Sequence, residues 1–405
     1  MNWFKEARFG MFIHWGAYSA AGRGEWMFNR EQMPKEEYIE KYVNNFKAEH
    51  YNPREWARLA KKAGMKYMVL TTRHHDGFAL FDTKTSDFNA VNYGPKKDLV
   101  KEYVEAVRAE GLKVGFYFSP ADWNHPDYPN AYLRDWPTGW DDEEARKRFV
   151  AYYKEQLREL MTNYGKIDIL WYDGCIPKPL DGAEVNAMIK ELQPDIMISA
   201  RNGAPYDFVV SEQTVQAPKE DIPWEACLTL NRHWGYHAGD FDYKQPKDVL
   251  FLLMQVAMDA GNLLLNVGPM ADGTIPQQSV EILETVGEWL SKNGESIYCS
   301  ERHPFSWGTS HKVTAKGNTV YIHLYHNLAE NELCIAEIKN KVKRVYCLAT
   351  GKEHKFLQMD NGRLFIYDVN GDFENDLILT YAVEIDGKPE SLIKRTSFWI
   401  PGKED

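Results

Sequence analysis

Short apolar runs recur along the first part of the chain. They are separated by longer stretches in which apolar side chains return every three or four positions. The runs are Met11–His14, Tyr67–Thr71, Val114–Phe118, Ile167–Trp171, Ile196–Ala200, Phe208–Val210, Ala226–Leu230 and Leu263–Val267. Runs of this kind, apolar without a polar alternate, fit strands buried on both faces of a parallel sheet. Asn52–Pro53 opens a helical pattern carried by Trp56, Leu59, Ala60 and Ala63 and stopped by Gly64. Leu99–Val107, Glu143–Leu160, Gln245–Met258 and Gln277–Leu290 give further helical patterns. None appears between the fifth and sixth runs, or between the sixth and seventh. Strands alternating with helices predict parallel pairing through helical crossovers. Eight strands favour a closed (β/α)-barrel, TIM-like with irregular helices, over an open sheet.

The texture changes after about Ser300. Val320–Tyr325, Leu333–Ala336, Val342–Leu348, Arg363–Ile366 and Leu377–Tyr381 read as short strands. Gly317–Asn318, Gly351–Lys352, Asn361–Gly362 and Asn370–Gly371 punctuate them as tight turns. The expectation is a catalytic barrel over 1–300 and a small C-terminal β-sandwich over 301–405.

Composition narrows the function. The net charge of −11 disfavours a phosphate-backbone partner, so no nucleic acid is expected. No stretch is long and apolar enough for a membrane span. Five cysteines, none in a Cys-x-x-Cys pair, read as free thiols in a reducing compartment. The start, Met-Asn-Trp-Phe-Lys-Glu, has no signal-peptide character. That reads as cytoplasmic, or as periplasmic or secreted if a leader has been trimmed. Aromatic residues make up 14% of the chain, and their apolar faces suit sugar rings as well as cores.

In a barrel, chemistry gathers where the strands end at their carboxyl side. His14-Trp15-Gly16 follows the first run and His74-His75-Asp76-Gly77 the second. Ser119 and Asp122-Trp123 follow the third, Trp171-Tyr172-Asp173-Gly174 the fourth, and Arg201 the fifth. Glu212 ends the sixth, Glu225 precedes the seventh, Trp234 follows it, and Asn266 lies near the end of the eighth. Asp173 is the first carboxylate candidate, set against a plain turn-forming Asp before Gly174. Glycoside hydrolysis needs a second carboxyl group, one ionised and one kept protonated. Glu212 leads for that role and Glu225 stands in reserve. A metal at His74, His75 and Asp76 is disfavoured, because neighbouring histidines on a strand face opposite ways and no His-x-His or His-Glu-x-x-His spacing occurs. Phosphate-loop and Gly-x-Ser-x-Gly patterns are also absent.

Several segments together resemble glycoside hydrolase family 29, the α-L-fucosidases. They are FGMFIHWG (Phe9–Gly16), GEW (Gly24–Trp26), TTRHHDGFALF (Thr71–Phe81) and LWYDG (Leu170–Gly174). PWEACLTLNRHWGYH (Pro223–His237), GNLLLNVGPMADGTIP (Gly261–Pro276) and GEWLSKNGESIY (Gly287–Tyr298) complete the set, in the family's order over about the first 300 residues. The resemblance implies a barrel with imperfect helices followed by a β-sandwich. It also implies retention through a covalent fucosyl-enzyme, a fucosylated glycan as substrate, and neither metal nor cofactor. It makes Asp173 the nucleophile and Glu212 the acid/base, with Glu225 in reserve. His14, His74, His75 and Trp171 become the fucose pocket, and Arg201 stands where the family has an arginine. Trp26 and Trp234, as candidates with Trp171 for an apolar wall against the C6 methyl, and Glu25 complete the expected substrate-binding residues. Ser-Ala-Arg-Asn-Gly around Arg201 departs from the family's commoner Asn-Asp-Arg-Trp-Gly. The alternatives are an α-L-galactosidase-like activity, a catalytically silent sugar-binding barrel and a metal-dependent hydrolase.

Overall fold

The computed structural model describes residues 2–129, 139–174, 180–305, 311–371 and 373–393. The chain divides into two compact units, Met1–Pro246 with Asn262–Gly287, and Lys247–Gly261 with Glu288–Asp405.

In the first unit, eight strands form one parallel sheet: β1 (Phe9–Ile13), β2 (Tyr67–Arg73), β3 (Lys113–Phe118), β4 (Ile169–Tyr172), β5 (Met197–Ile198), β6 (Val209–Glu212), β7 (Trp224–Thr229) and β8 (Asn262–Val267). The order is β5-β4-β3-β2-β1-β8-β7-β6. A parallel bridge between Ser199 and Phe208 joins the two ends, with Ala200 N–H donating to the Phe208 carbonyl at 2.9 Å. The sheet therefore closes as a barrel. Each apolar run of the sequence lands on one of these strands. Successive residues of a strand face opposite ways, and one set points inward. Phe12, Tyr67, Val69, Tyr117, Ile169, Trp171, Met197, Phe208, Cys227 and Leu264 fill the interior together with Phe4 and Ala7.

Helices Pro53–Lys62, Leu99–Ala109 and Glu143–Asn163 form where the periodicity placed them. Pro53 occupies the first turn of its helix, where a missing N–H matters least. Asp98 and Asp142 cap the other two by accepting backbone N–H bonds. Helix Gly182–Leu192 has no sequence counterpart. Its cap, Asp181, is left-handed (φ 51°) and makes no side-chain capping bond, and Asp181-Gly182 reads locally as a turn.

In the second unit, β9 (Lys312–Lys316), β10 (Thr319–Leu324), β12 (Val342–Cys347) and β15 (Leu379–Ile385) make a four-stranded sheet in the order β12-β15-β10-β9. The strands β11 (Glu332–Ile335), β13 (Phe356–Gln358) and β14 (Leu364–Tyr367) make a three-stranded one. Both are antiparallel. Val320, Ile322 and Val383 of the first share a core with Leu333, Ile335 and Ile366 of the second, which is a β-sandwich. Among the described residues no helix is long and apolar enough to cross a membrane. Cys227, Cys299, Cys334 and Cys347 are free thiols; Cys175 lies outside the described residues.

Candidate active site

The carboxyl ends of the strands surround a cavity of about 290 Å³. Asp173 stands just past β4, and three donors surround its carboxylate. Tyr117 donates its hydroxyl to Oδ2 at 2.8 Å, His75 Nε2 lies 3.4 Å from the same oxygen, and Arg201 bonds Oδ1. Burial alone would raise the acid's pKa, but His75 and Arg201 outweigh it and hold the pKa well below the usual carboxylate range. Asp173 is therefore ionised and aimed.

Arg201 also donates to Glu212 Oε2 at 2.6 Å. One guanidinium thus bridges two carboxylates, the planar fork geometry to which arginine is suited. Burial works against its charge, yet the two carboxylates raise its pKa. The Asp173 side chain is 15% exposed and that of Glu212 is 37%, so Glu212 has the freer exchange with solvent.

His14 Nδ1 meets Asn266 Oδ1 at 2.7 Å, and Asn266 in turn donates to the Trp234 carbonyl. Burial lowers the His14 pKa to about 4 and holds that of His74 well below the ordinary value. Both rings are neutral at physiological pH. The buried Nδ1 of His74 has no hydrogen-bond partner among the described residues, an unmet polar group in the cavity wall. His75 is aimed from behind by Ser119 Oγ, 2.6 Å from its Nδ1. Glu25 is buried, its pKa raised by that burial, and its Oε2 accepts the Gly235 N–H at 2.8 Å. This contact fixes the loop that presents Trp234.

Ten of the eleven sequence candidates line this cavity: Asp173, Glu212, His14, Glu25, Trp26, His74, His75, Trp171, Arg201 and Trp234. The eleventh, Glu225, does not; it is enclosed within the barrel. One expectation is overturned. His74 and His75 do not face opposite ways, because both lie beyond the end of β2, where the pleat no longer governs them. Their rings sit 4.1 Å apart on the same cavity. His74, His75 and Asp173 each offer a ligand atom, all within 4.8 Å of one another. However, Tyr117, His75 and Arg201 already engage the Asp173 oxygens, and a cation there would face the guanidinium.

Sequence reasoning missed Phe12, Arg30 and Tyr117. Phe12 and Arg30 line the cavity, and the Arg30 guanidinium lies 4.5 Å over the Trp26 ring. Tyr117 hides within an apolar run. Strand parity was its signal, since it pairs with Trp171 across β3 and β4.

Asp76 is not a site residue. It is buried and accepts the Tyr38 hydroxyl at 2.7 Å. Gly77 beside it adopts φ 79°, and a Cβ there would overlap the Asp122 carboxylate. Burial raises the Asp76 pKa to about 7. A carboxyl raised in the folded state contributes stability that is complete below its unfolded pKa and lost as pH rises through about 7. Wild type should therefore lose melting temperature between about pH 4 and 7. Asp76→Asn should show a shallower fall, and equal slopes would refute a protonated Asp76.

Comparison with known proteins shows the family. The family model for alpha-L-fucosidase matches residues 1–295. Tissue alpha-L-fucosidase of Bos taurus is 33% identical over 359 residues, covering 80% of this chain and 74% of its own. Plasma alpha-L-fucosidase of Rattus norvegicus is 34% identical over 339 residues, covering 73% and 70%. Among solved structures, alpha-L-fucosidase isoenzyme 1 from Paenibacillus thiaminolyticus is 40% identical with a TM-score of 0.88, covering 95% of this chain and 98% of that one. Thermotoga maritima alpha-fucosidase, solved in complex with fucose, is 29% identical with a TM-score of 0.80, covering 94% and 96%. The chain belongs to the α-L-fucosidase family, glycoside hydrolase family 29.

Proposed function

We propose that this chain is a retaining exo-α-L-fucosidase that releases terminal α-linked L-fucose from glycans by double displacement. The observation that carries the reading is the pair Asp173 and Glu212, held on one guanidinium at the mouth of an aromatic cavity. The cavity is at the small end of ligand sites, which run to roughly 300–1,000 Å³, and suits one sugar ring. Phe12, Trp171 and Trp234 supply an apolar wall for the C6 methyl, and the neutral imidazoles of His14 and His74 meet hydroxyls.

In the first step an Asp173 oxygen attacks C1 and the glycosidic bond breaks. Glu212 gives its proton to the departing oxygen, and a fucosyl-aspartate ester remains. Glu212 is the more exposed of the pair, placed to meet both the leaving group and water. In the second step Glu212 takes a proton from water as the water attacks C1. Asp173 leaves as a carboxylate, and fucose departs with its configuration retained. Contacts from Tyr117 and Arg201 make Asp173 a competent leaving group in this step.

The test is proton NMR of 4-nitrophenyl α-L-fucoside during hydrolysis by the wild-type protein. The α-anomer of fucose should appear first and the β-anomer only as mutarotation proceeds. A first-formed β-anomer would mean inversion, and absence of turnover on both this substrate and fucosylated glycans would sink the fucosidase reading.

A further inference from the structure

Glu225 lies in β7 on the same face as Cys227, which belongs to the barrel interior. It is fully buried and stays out of the cavity wall. Carboxyl groups are rarely buried without partners, because losing water is costly. Here each oxygen has one. Oε1 accepts the Trp171 indole N–H at 3.0 Å, and Oε2 is bonded to the Tyr67 hydroxyl. Room for Tyr67 is set by a glycine: a Cβ at Gly10 would overlap the Tyr67 ring.

Trp171 is the link outward. Its ring stacks on Tyr117, with centroids 5.7 Å apart and planes 15° from parallel. The Arg201 guanidinium lies 5.3 Å over its ring. Arg201 in turn engages Asp173 and Glu212. A continuous run of contacts therefore leads from Glu225 through one indole to both carboxylates.

We propose that Glu225 is a positioning residue for fucoside hydrolysis, fixing the Trp171 ring plane and through it the guanidinium that spaces Asp173 and Glu212. The inference rests on the fucosidase reading above. Burial raises the Glu225 pKa to about 7, against the pull of the Tyr67 and Trp171 bonds. Below neutrality the carboxyl is largely protonated. Oε1 then still accepts from the indole, and the acid proton goes to the Tyr67 oxygen. Glutamine reproduces both bonds, with its carbonyl facing Trp171 and its amide facing Tyr67. Methionine fills the same space and accepts from neither. Alanine leaves both space and indole N–H unmet.

The test compares the full-length wild type with Glu225→Gln, Glu225→Met and Glu225→Ala on 4-nitrophenyl α-L-fucoside, with and without azide. Glu225→Gln should keep kcat/KM within about threefold of wild type. Glu225→Met and Glu225→Ala should each lose about 10–100-fold, the scale of an orphaned buried donor. The loss should fall on kcat more than on KM, because misplaced carboxylates slow the chemistry. Azide should restore nothing. If Glu225→Ala does not fold, the contrast between Gln and Met decides. A Met variant as active as wild type overturns the proposal. So does a Gln variant as poor as Ala whose turnover azide restores with formation of α-L-fucosyl azide, because that product marks a proton-exchanging acid/base. Wild type without turnover of this substrate and of fucosylated glycans would instead overturn the fucosidase reading itself.

Discussion

Replacing Asp173 with glycine should abolish hydrolysis of 4-nitrophenyl α-L-fucoside, with a loss of roughly 10³–10⁵-fold in kcat. The proposed nucleophile would be gone while the rest of the cavity stays in place. Arg201 would keep Glu212 as its partner, and His75 would keep Ser119. Glycine also leaves a hole where the carboxylate stood, beside Tyr117, His75 and Arg201. Azide is small, anionic and nucleophilic, and a guanidinium favours it in that hole. Turnover should return with azide, and the product should be β-L-fucosyl azide, because attack comes from the face opposite the leaving group. Asp173→Asn makes the useful contrast. It keeps the shape and the Tyr117 contact but leaves azide no room, so it should be inactive and stay inactive. A glycine variant that keeps wild-type activity would move the nucleophile elsewhere. Activity lost without azide rescue, together with a lowered melting temperature, would mean that Asp173 mainly holds the mouth together.

Much of the barrel was legible in the sequence because its strands are buried on both faces, which makes their runs continuous. The weakest elements lacked that signal. Strand β5 has only two residues, and β13 has three, none fully buried. In β9 the buried residues are Val313, Thr314 and Ala315, too few and too small for an apolar run. Helix Gly182–Leu192 offers only Val185, Met188 and Ile189 as large buried anchors, after a start that reads as a turn. Within the site, residue type at strand ends found His14, Asp173 and Arg201, because polar groups there have little reason to be present except for capping or chemistry. It could not find Tyr117, whose hydroxyl sits at the end of an otherwise apolar side chain inside a strand. It also could not separate Glu212 from Glu225. Both belong to neighbouring strands, and Val210 pairs with Glu225 in the register of β6 and β7. Glu225 thus lies two residues below the level of Glu212, a depth that only the paired strands reveal.

That difference in depth gives Glu212→Ala a signature that Glu225 variants should not share. With 4-nitrophenol as the leaving group, little protonation is needed to break the glycosidic bond. On the proposed mechanism the first step should stay fast, and release of the fucosyl-enzyme, for which Glu212 is the proposed base, should become rate-limiting. A burst of nitrophenol followed by slow turnover is expected. With a sugar as leaving group the departing alkoxide needs its proton, and kcat/KM should fall roughly 10²–10⁴-fold, the range of general-acid catalysis. Azide should speed turnover of the nitrophenyl substrate by attacking the intermediate without base assistance. The product should be α-L-fucosyl azide, since two displacements restore the configuration. The anomer of the azide therefore separates Glu212→Ala from Asp173→Gly in a single spectrum. Equal losses on aryl and glycan substrates, without a burst, would remove Glu212 from the proton-transfer role. They would leave it as the second anchor of Arg201.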